Sequence, residues 1–268
     1  MIAHDDGVIV ALDHRLHWGV FEEFEDPGET LETVLGGGPD GVLASVPFLR
    51  RFAGVLDRYQ SVTRVGTLDV IYDSTVPGDR TDDEIHFQAF DVDTAARVGA
   101  DGVKVCVVYG RGNPDVLAGN AEFAASVAQE ARQRGLSAVL EPVLWGDRIP
   151  DDTDPDLIEH AARLGMELGA DVLKLYYPGR ERLASIVDHS PCPVYVAGGP
   201  EGEDDLSVLG MAADAVEAGA SGIIYGRNVW QHDDPAEMNY TRKGATCPRQ
   251  SRRENSYTWV INREILAI

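Results

Sequence analysis

The sequence predicts a single (β/α)8 barrel, a TIM barrel, over residues 1–238, followed by an atypical tail at 239–268. Three observations carry that prediction. Eight short apolar runs of strand length recur along the chain, most of them followed by a helical segment. Several of these units open alike, with Gly-Ala-Asp-Gly at 99–102, Gly-Ala-Asp-Val at 169–172 and Gly-Ala-Ser-Gly at 219–222. Each reads as a helix end leading straight into a buried strand. No composition break marks a second domain, and eight βα units in 268 residues fit a closed barrel better than an open doubly wound sheet.

The first strand is Gly7 to Leu12, ending at Asp13-His14-Arg15. A short helix near 28–36 stops at Gly36-Gly37-Gly38, and the second strand, Gly41 to Ser45, leads into a helix from Pro47 to Arg58. Arg64 to Ile71 is the third strand, and Asp73 to Glu84, polar and carrying Pro77-Gly78, is a long loop. After a helix near 91–98 comes the fourth strand, Gly102 to Val108. Residues 119–134 form an amphipathic helix with Phe123, Val127 and Ala131 on one face and Gly135 at its end. Ser137 to Val143 is the fifth strand, and a helix over 155–168 precedes the sixth, Ala170 to Tyr177. A helix near 181–187, a strand from Pro193 to Ala197, a helix at 204–218 and a strand from Gly222 to Tyr225 complete the eight units.

Beyond these the pattern changes. Asp234-Pro235-Ala236-Glu237 has the signature of a helix start, with an N-cap Asp, Pro at the first position and Glu at the third. From Asn239 apolar periodicity is absent, and Gly244 and Pro248 break any helix. The last 30 residues carry a charge of +4, whereas residues 1–238 carry −26. The eighth outer helix is therefore truncated or replaced. The tail is either disordered or of different coding origin, such as a changed reading frame.

The net charge of −22, spread along the chain, describes a solvated acidic surface. It argues against nucleic acid and anionic membranes as partners. With 20 Arg against three Lys, it suits a protein working in high salt, which screens self-repulsion. Cys106, Cys192 and Cys247 form no CxxC or Cys/His cluster, so neither a disulfide framework nor a metal site is expected. No apolar run reaches the ~18 residues of a membrane span, and the N-terminus lacks a signal pattern, so a cytoplasmic location is expected.

Two of the three lysines, Lys104 and Lys174, lie within core strands. A buried lysine is paired, neutralised or used, because an unpaired buried charge costs several kcal/mol. Lysine, unlike arginine, can lose its proton near neutral pH and attack a carbonyl. Two readings stand for Lys174: a structural partner of a core carboxylate, or an amine nucleophile. Barrel chemistry sits at the C-terminal strand ends. Asp13, Lys104, Glu141 and Lys174 fall at or near those ends on strands one, four, five and six. Lys104 and burial would together favour the free amine of Lys174, and Glu141 with Asp13 would supply carboxylates for proton transfer. Strands seven and eight end in Gly198-Gly199-Pro200 and Gly226-Arg227. In these barrels that pair of loops commonly binds phosphate, with glycines admitting the anion to backbone N–H groups and Arg227 adding a bidentate donor.

The segments ADVLKLYYPG (170–179), PVYVAGGP (193–200) and AGASGIIYGRNVWQ (218–231) resemble the class I, Schiff-base aldolases of the DeoC/LacD and archaeal fructose-bisphosphate type. The resemblance runs from about residue 7 to 238. It implies that Lys174 is the Schiff-base lysine, that Gly198, Gly199, Gly226 and Arg227 bind the substrate phosphate, and that Asp13 assists nearby. The fructose-bisphosphate branch carries a catalytic tyrosine where Val143 stands here. The run Leu140-Glu141-Pro142-Val143 is more similar to the tagatose-bisphosphate and sulfofructose-phosphate aldolases, which implies Glu141 as acid/base. Lys104 and Asp13 lean the same way. The resemblance implies a carbon–carbon lyase that needs no metal or cofactor, takes a phosphorylated sugar and assembles as a homo-oligomer. A transaldolase or thiolase on the same barrel, or a disabled sugar-phosphate binding protein, are the alternatives.

Overall fold

The computed structural model describes residues 2, 4, 6–79, 85–199, 205–232 and 234–236. Eight parallel strands close into a barrel: β1 (Gly7–Ala11), β2 (Gly41–Ser45), β3 (Thr63–Thr67), β6 (Gly102–Tyr109), β7 (Ser137–Leu144), β8 (Val172–Leu175), β9 (Val194–Ala197) and β10 (Gly222–Tyr225), which returns to β1. Closure is tight. Gly222 pairs with Gly7, and a Cβ at Gly222 would come within 2.0 Å of the Gly7 carbonyl oxygen, so only glycine fits the seam.

The outer helices follow from capped starts and apolar faces. In α2 (Pro27–Gly36) the Asp26 side chain accepts the Gly28 and Glu29 N–H groups, and Leu31, Val34 and Leu35 are buried. α6 (Pro114–Gln133) is capped by Asn113, α7 (Pro155–Glu167) by Asp154 and α5 (Val92–Arg97) by Asp91. α8 (Arg180–Asp188) and α9 (Asp205–Glu217) precede β9 and β10.

Four stretches differ from the sequence reading. Asp13 caps no loop but opens a short helix, α1 (His14–Trp18). The helix expected over 47–58 is two, α3 (Val46–Arg51) and α4 (Ala53–Leu56), with Phe52 between them outside helical geometry. The third barrel strand ends at Thr67; Asp69–Tyr72 leaves the barrel as β4 and pairs antiparallel with β5 (Ile85–Gln88). The amphipathic helix begins at Pro114 rather than 119 because Asn113 supplies its cap. After β10 a single turn, α10 (Arg227–Trp230), stands in place of a long helix. Residues 239–268, expected as an atypical tail, lie outside the described residues, as does Pro200.

Inward-facing side chains form layers. The lower layer is apolar: Ile9, Leu43, Val65, Val139, Val172, Tyr195 and Ile224, with Ile2 beneath them. Two residues further along β3, β6, β7 and β8 the same alternation turns Thr67, Lys104, Glu141 and Lys174 inward, all four buried. No helix among the described residues is long and apolar enough to cross a membrane.

Candidate active site

Glu141 is the hub of the upper layer. Its Oε1 lies 2.7 Å from Lys174 Nζ and its Oε2 lies 3.0 Å from Lys104 Nζ. Lys104 also reaches Asp13 Oδ2 at 3.7 Å, and Thr67 Oγ1 donates to that same oxygen at 2.7 Å. The four ionisable residues expected at the mouth are thus one connected cluster. Register explains the convergence: Thr67 is paired with Lys104, Cys106 with Glu141 and Lys174 with Tyr195, so the stagger of neighbouring strands lifts the charges to one level.

Burial raises the Glu141 carboxyl, but the Lys104 and Lys174 cations outweigh it and bring it below its ordinary value. Burial likewise raises Asp13, and Lys104, His17 and His14 hold it well below the carboxylate range. Burial lowers Lys104, and the Glu141, Asp69 and Asp13 carboxylates reverse this and raise it well above the ordinary amine value. Lys104 is therefore a fixed cation among anions. Cys106, pushed up by burial, stays a thiol and lies 3.6 Å from Glu141 Oε2.

The structure adds residues that the sequence reading passed over. His14 packs edge-on against Trp230 and Phe21, and a Cβ at Gly226 would sit 2.2 Å from its Cε1. Burial lowers His14 to about 3 against the opposing pull of Asp13, and the Lys174 and Arg227 cations add to the lowering, so it is a neutral imidazole. Asp69, fully buried, pairs with His86 at 2.8 Å. Trp18 lies against Trp145, and the Arg227 guanidinium sits over the Trp18 ring at 5.4 Å. Trp145 Nε1 donates to Tyr176 Oη at 2.6 Å, and burial pushes the Tyr176 phenol up. Inward parity with Val65 and Thr67 was the signal for Asp69; the histidines and aromatics gave none.

The expected phosphate loops lie together. Asn228 Nδ2 donates to the Gly198 carbonyl at 2.9 Å and Arg227 Nη2 to the Gly199 carbonyl at 3.4 Å, stapling the β9 and β10 loops. Gly199 has φ +68°, open to glycine without strain. A cavity of about 280 Å³ opens between α1 and α3, lined by Leu12, Arg15, Phe48 and Phe52. It touches Asp13 but none of the other charged residues of the cluster. Among the described residues no group of three or more His, Cys, Asp or Glu is disposed to hold a metal ion.

Eight parallel strands closed into a barrel, with a lysine–carboxylate cluster at the mouth, define the class: a TIM barrel of the aldolase kind. Residues 7–232 match the DeoC/LacD family aldolase, and the chain belongs to that family. It is 31% identical over 247 residues to an uncharacterised aldolase of Saccharolobus solfataricus, covering 86% of each chain. Over 147 residues it is 40% identical to the class 1 fructose-bisphosphate aldolase of Halobacterium salinarum, a match spanning 54% of each. A Schiff-base-forming fructose-1,6-bisphosphate aldolase of known structure superposes with a TM-score of 0.79 at 25% identity, over 91% of this chain and 95% of that one.

Proposed function

We propose that this member of the class I aldolase family cleaves or forms a carbon–carbon bond in a phosphorylated ketose through a Schiff base on Lys174. The observation that carries the reading is the 2.7 Å contact between Lys174 Nζ and Glu141 Oε1. An amine must shed a proton before it attacks a carbonyl, and Glu141 is within reach to take it. The amine then adds to the ketone carbon. The resulting carbinolamine loses water, with Glu141 returning its proton to the departing oxygen. The iminium is the electron sink for cleavage: a base removes the proton of the C4 hydroxyl, the C3–C4 bond breaks to release an aldehyde, and its electrons move into the enamine. Glu141, assisted by Asp13, is that base and later protonates the enamine carbon. Hydrolysis of the iminium frees the second product and the lysine.

Lys104 holds Glu141 and Asp13 in register and contacts a substrate hydroxyl. Gly198, Gly199, Gly226 and Arg227 bind the phosphate. The aliphatic Val143, buried on β7 beyond Glu141, supports a glutamate rather than a tyrosine as acid/base. No metal enters these steps.

The test is release of triose phosphate from a panel of ketose bisphosphates, fructose and tagatose 1,6-bisphosphate first, by the wild type and by Lys174→Met. Cleavage by the wild type and none by the variant is expected. Equal activity in the two would remove Lys174 from the mechanism. Product analysis with other acceptor aldehydes separates aldol cleavage from transaldolase or thiolase chemistry. Stabilisation by the sugar phosphates without turnover would identify a binding protein instead.

A further inference from the structure

We propose that Trp18 is a specificity-determining residue: held over the barrel mouth by Trp145 and by Arg227, it admits phosphorylated ketones to Lys174 and keeps unphosphorylated ones out. The inference rests on the reading above, with its Schiff base on Lys174 and its phosphate on Arg227.

The contact between Trp18 and Trp145 joins opposite sides of the barrel. Trp18 ends α1, which follows β1, and Trp145 follows β7. In the closed barrel β7 lies opposite β1, past β10, β9 and β8 in one direction and past β2, β3 and β6 in the other. Side chains from those two strand ends can meet only over the mouth, and these meet with ring centroids 5.8 Å apart. Trp145 is fixed from the β8 side, because its Nε1 donates to Tyr176 Oη at 2.6 Å. Trp18 is backed by His14, with centroids 5.6 Å apart, and by the Arg227 guanidinium 5.4 Å from its ring centre. Beneath this bridge the Lys174 and Glu141 side chains are 9% and 10% exposed. A ketone carbon has to come within bonding distance of Lys174 Nζ, so the cover must part to admit it. The helix α1 can yield, since it buries none of its residues fully and swinging it aside unpacks no core.

Arg227 links that motion to the charge of the substrate. It opens α10 after β10, and its Nη2 also donates to the Gly199 carbonyl at 3.4 Å. One guanidinium thus serves both the aromatic bridge and the loop pair assigned to the phosphate. A cation is drawn to a ring face by its charge, and a phosphate paired with Arg227 offsets that charge. A ligand shifts an equilibrium only by its differential affinity for the two states. A phosphorylated ketone has such a difference, because it binds Arg227 more tightly when the guanidinium is not committed to Trp18. An unphosphorylated ketone has none, and it reaches Lys174 only when the bridge opens unaided. A purely structural role accounts for Trp18 less well. The helix α1 has no buried face for it to complete, and among the described residues its ring lies against His14, His17, Trp145 and Arg227, all at the mouth.

The first measurement is the rate at which Lys174 is trapped in cyanoborohydride by dihydroxyacetone phosphate and by dihydroxyacetone, taken as a ratio on one sample so that unfolded protein cancels. Trp18→Leu is expected to lower this ratio about tenfold, chiefly by hastening the unphosphorylated ketone. Trp18→Phe, which keeps a ring face for Arg227, is expected to stay nearer the wild type. Inorganic phosphate is expected to speed the trapping of dihydroxyacetone about fivefold in the wild type and not in Trp18→Leu. An unchanged ratio in Trp18→Leu, equal loss in Trp18→Leu and Trp18→Phe, or phosphate acting alike on the wild type and Trp18→Leu would overturn the proposal. The bridge can also be followed without covalent chemistry. Two indoles in contact give an exciton couplet in circular dichroism, obtained as the difference between the wild type and Trp18→Leu. Inorganic phosphate is expected to weaken the couplet about twofold, and Arg227→Leu to abolish that response. A couplet that phosphate leaves unaltered, or weakens equally in Arg227→Leu, would overturn the proposal. A couplet that phosphate weakens in a protein that traps neither ketone would leave the bridge and its coupling to Arg227 standing and remove the Schiff-base reading.

Discussion

The barrel interior holds two layers two residues apart on the same strands, and they are stabilised in opposite ways. Val65, Val139 and Val172 in the lower layer give way to Thr67, Glu141 and Lys174 above them. Both levels are buried. The lower layer gains from removing apolar surface from water, about 25 cal/mol per Å². The upper layer desolvates two lysines and two carboxylates, Asp13 and Glu141, and is sustained by their mutual pairing. The apolar layer thus supports an ionic one that costs stability, which suits the cluster to the role proposed for it.

The contrast breaks most sharply at Lys174. Lys174→Met should cut turnover by more than about 10³-fold. Its melting temperature should hold or rise, because a thioether replaces a buried ammonium while Glu141 keeps Lys104. Val172→Ala, one layer below, should do the reverse: a loss of about 2 kcal/mol in chemical denaturation with turnover per folded molecule intact.

Glu141→Gln should damage both properties. It removes the nearest counter-ion of two buried lysines, at about 3 kcal/mol, and lowers turnover by about 10²-fold.

Acid separates the layers in a third way. His14 is held neutral, from an ordinary 6.5 down to about 3, so the unfolded chain binds a proton there that the folded one does not. Stability should therefore fall as pH drops from 6.5 towards 3, by up to about 1.4 kcal/mol per pH unit from this group. Asp69, with its carboxyl lowered from 3.8 to about 2, stabilises above 3.8 and loses that contribution between 3.8 and 2. Denaturation at stepped pH should show a flatter profile between 6.5 and 4 in His14→Gln, and an unchanged slope would remove His14 as the cause. The smallest expected effect is on the surface: at a net charge of −22, melting temperature should rise from low to molar KCl.

Much of this was legible in the sequence. Eight apolar runs and the repeated glycine starts mark the eight strands, and a lysine or glutamate inside such a run has no apolar reason to be there. Lys104, Glu141 and Lys174 stand out for that reason, and they meet within 3.0 Å. The hairpin was not legible, because β5 (Ile85–Gln88) is half exposed and earns its place by pairing with β4 rather than by a buried run. His86 was hidden with it. His14 and Trp18 were hidden because α1 buries none of its five residues fully, so no apolar face announced a helix. Contacts made across the barrel mouth have no local period to read.

The central claim is that the amine of Lys174 forms the covalent intermediate, and its direct test is borohydride reduction with dihydroxyacetone phosphate followed by peptide mass analysis. One reduced adduct, on the peptide that contains Lys174, is the expected result. A folded sample that yields no adduct, or an adduct on Lys104 in place of Lys174, would contradict the account.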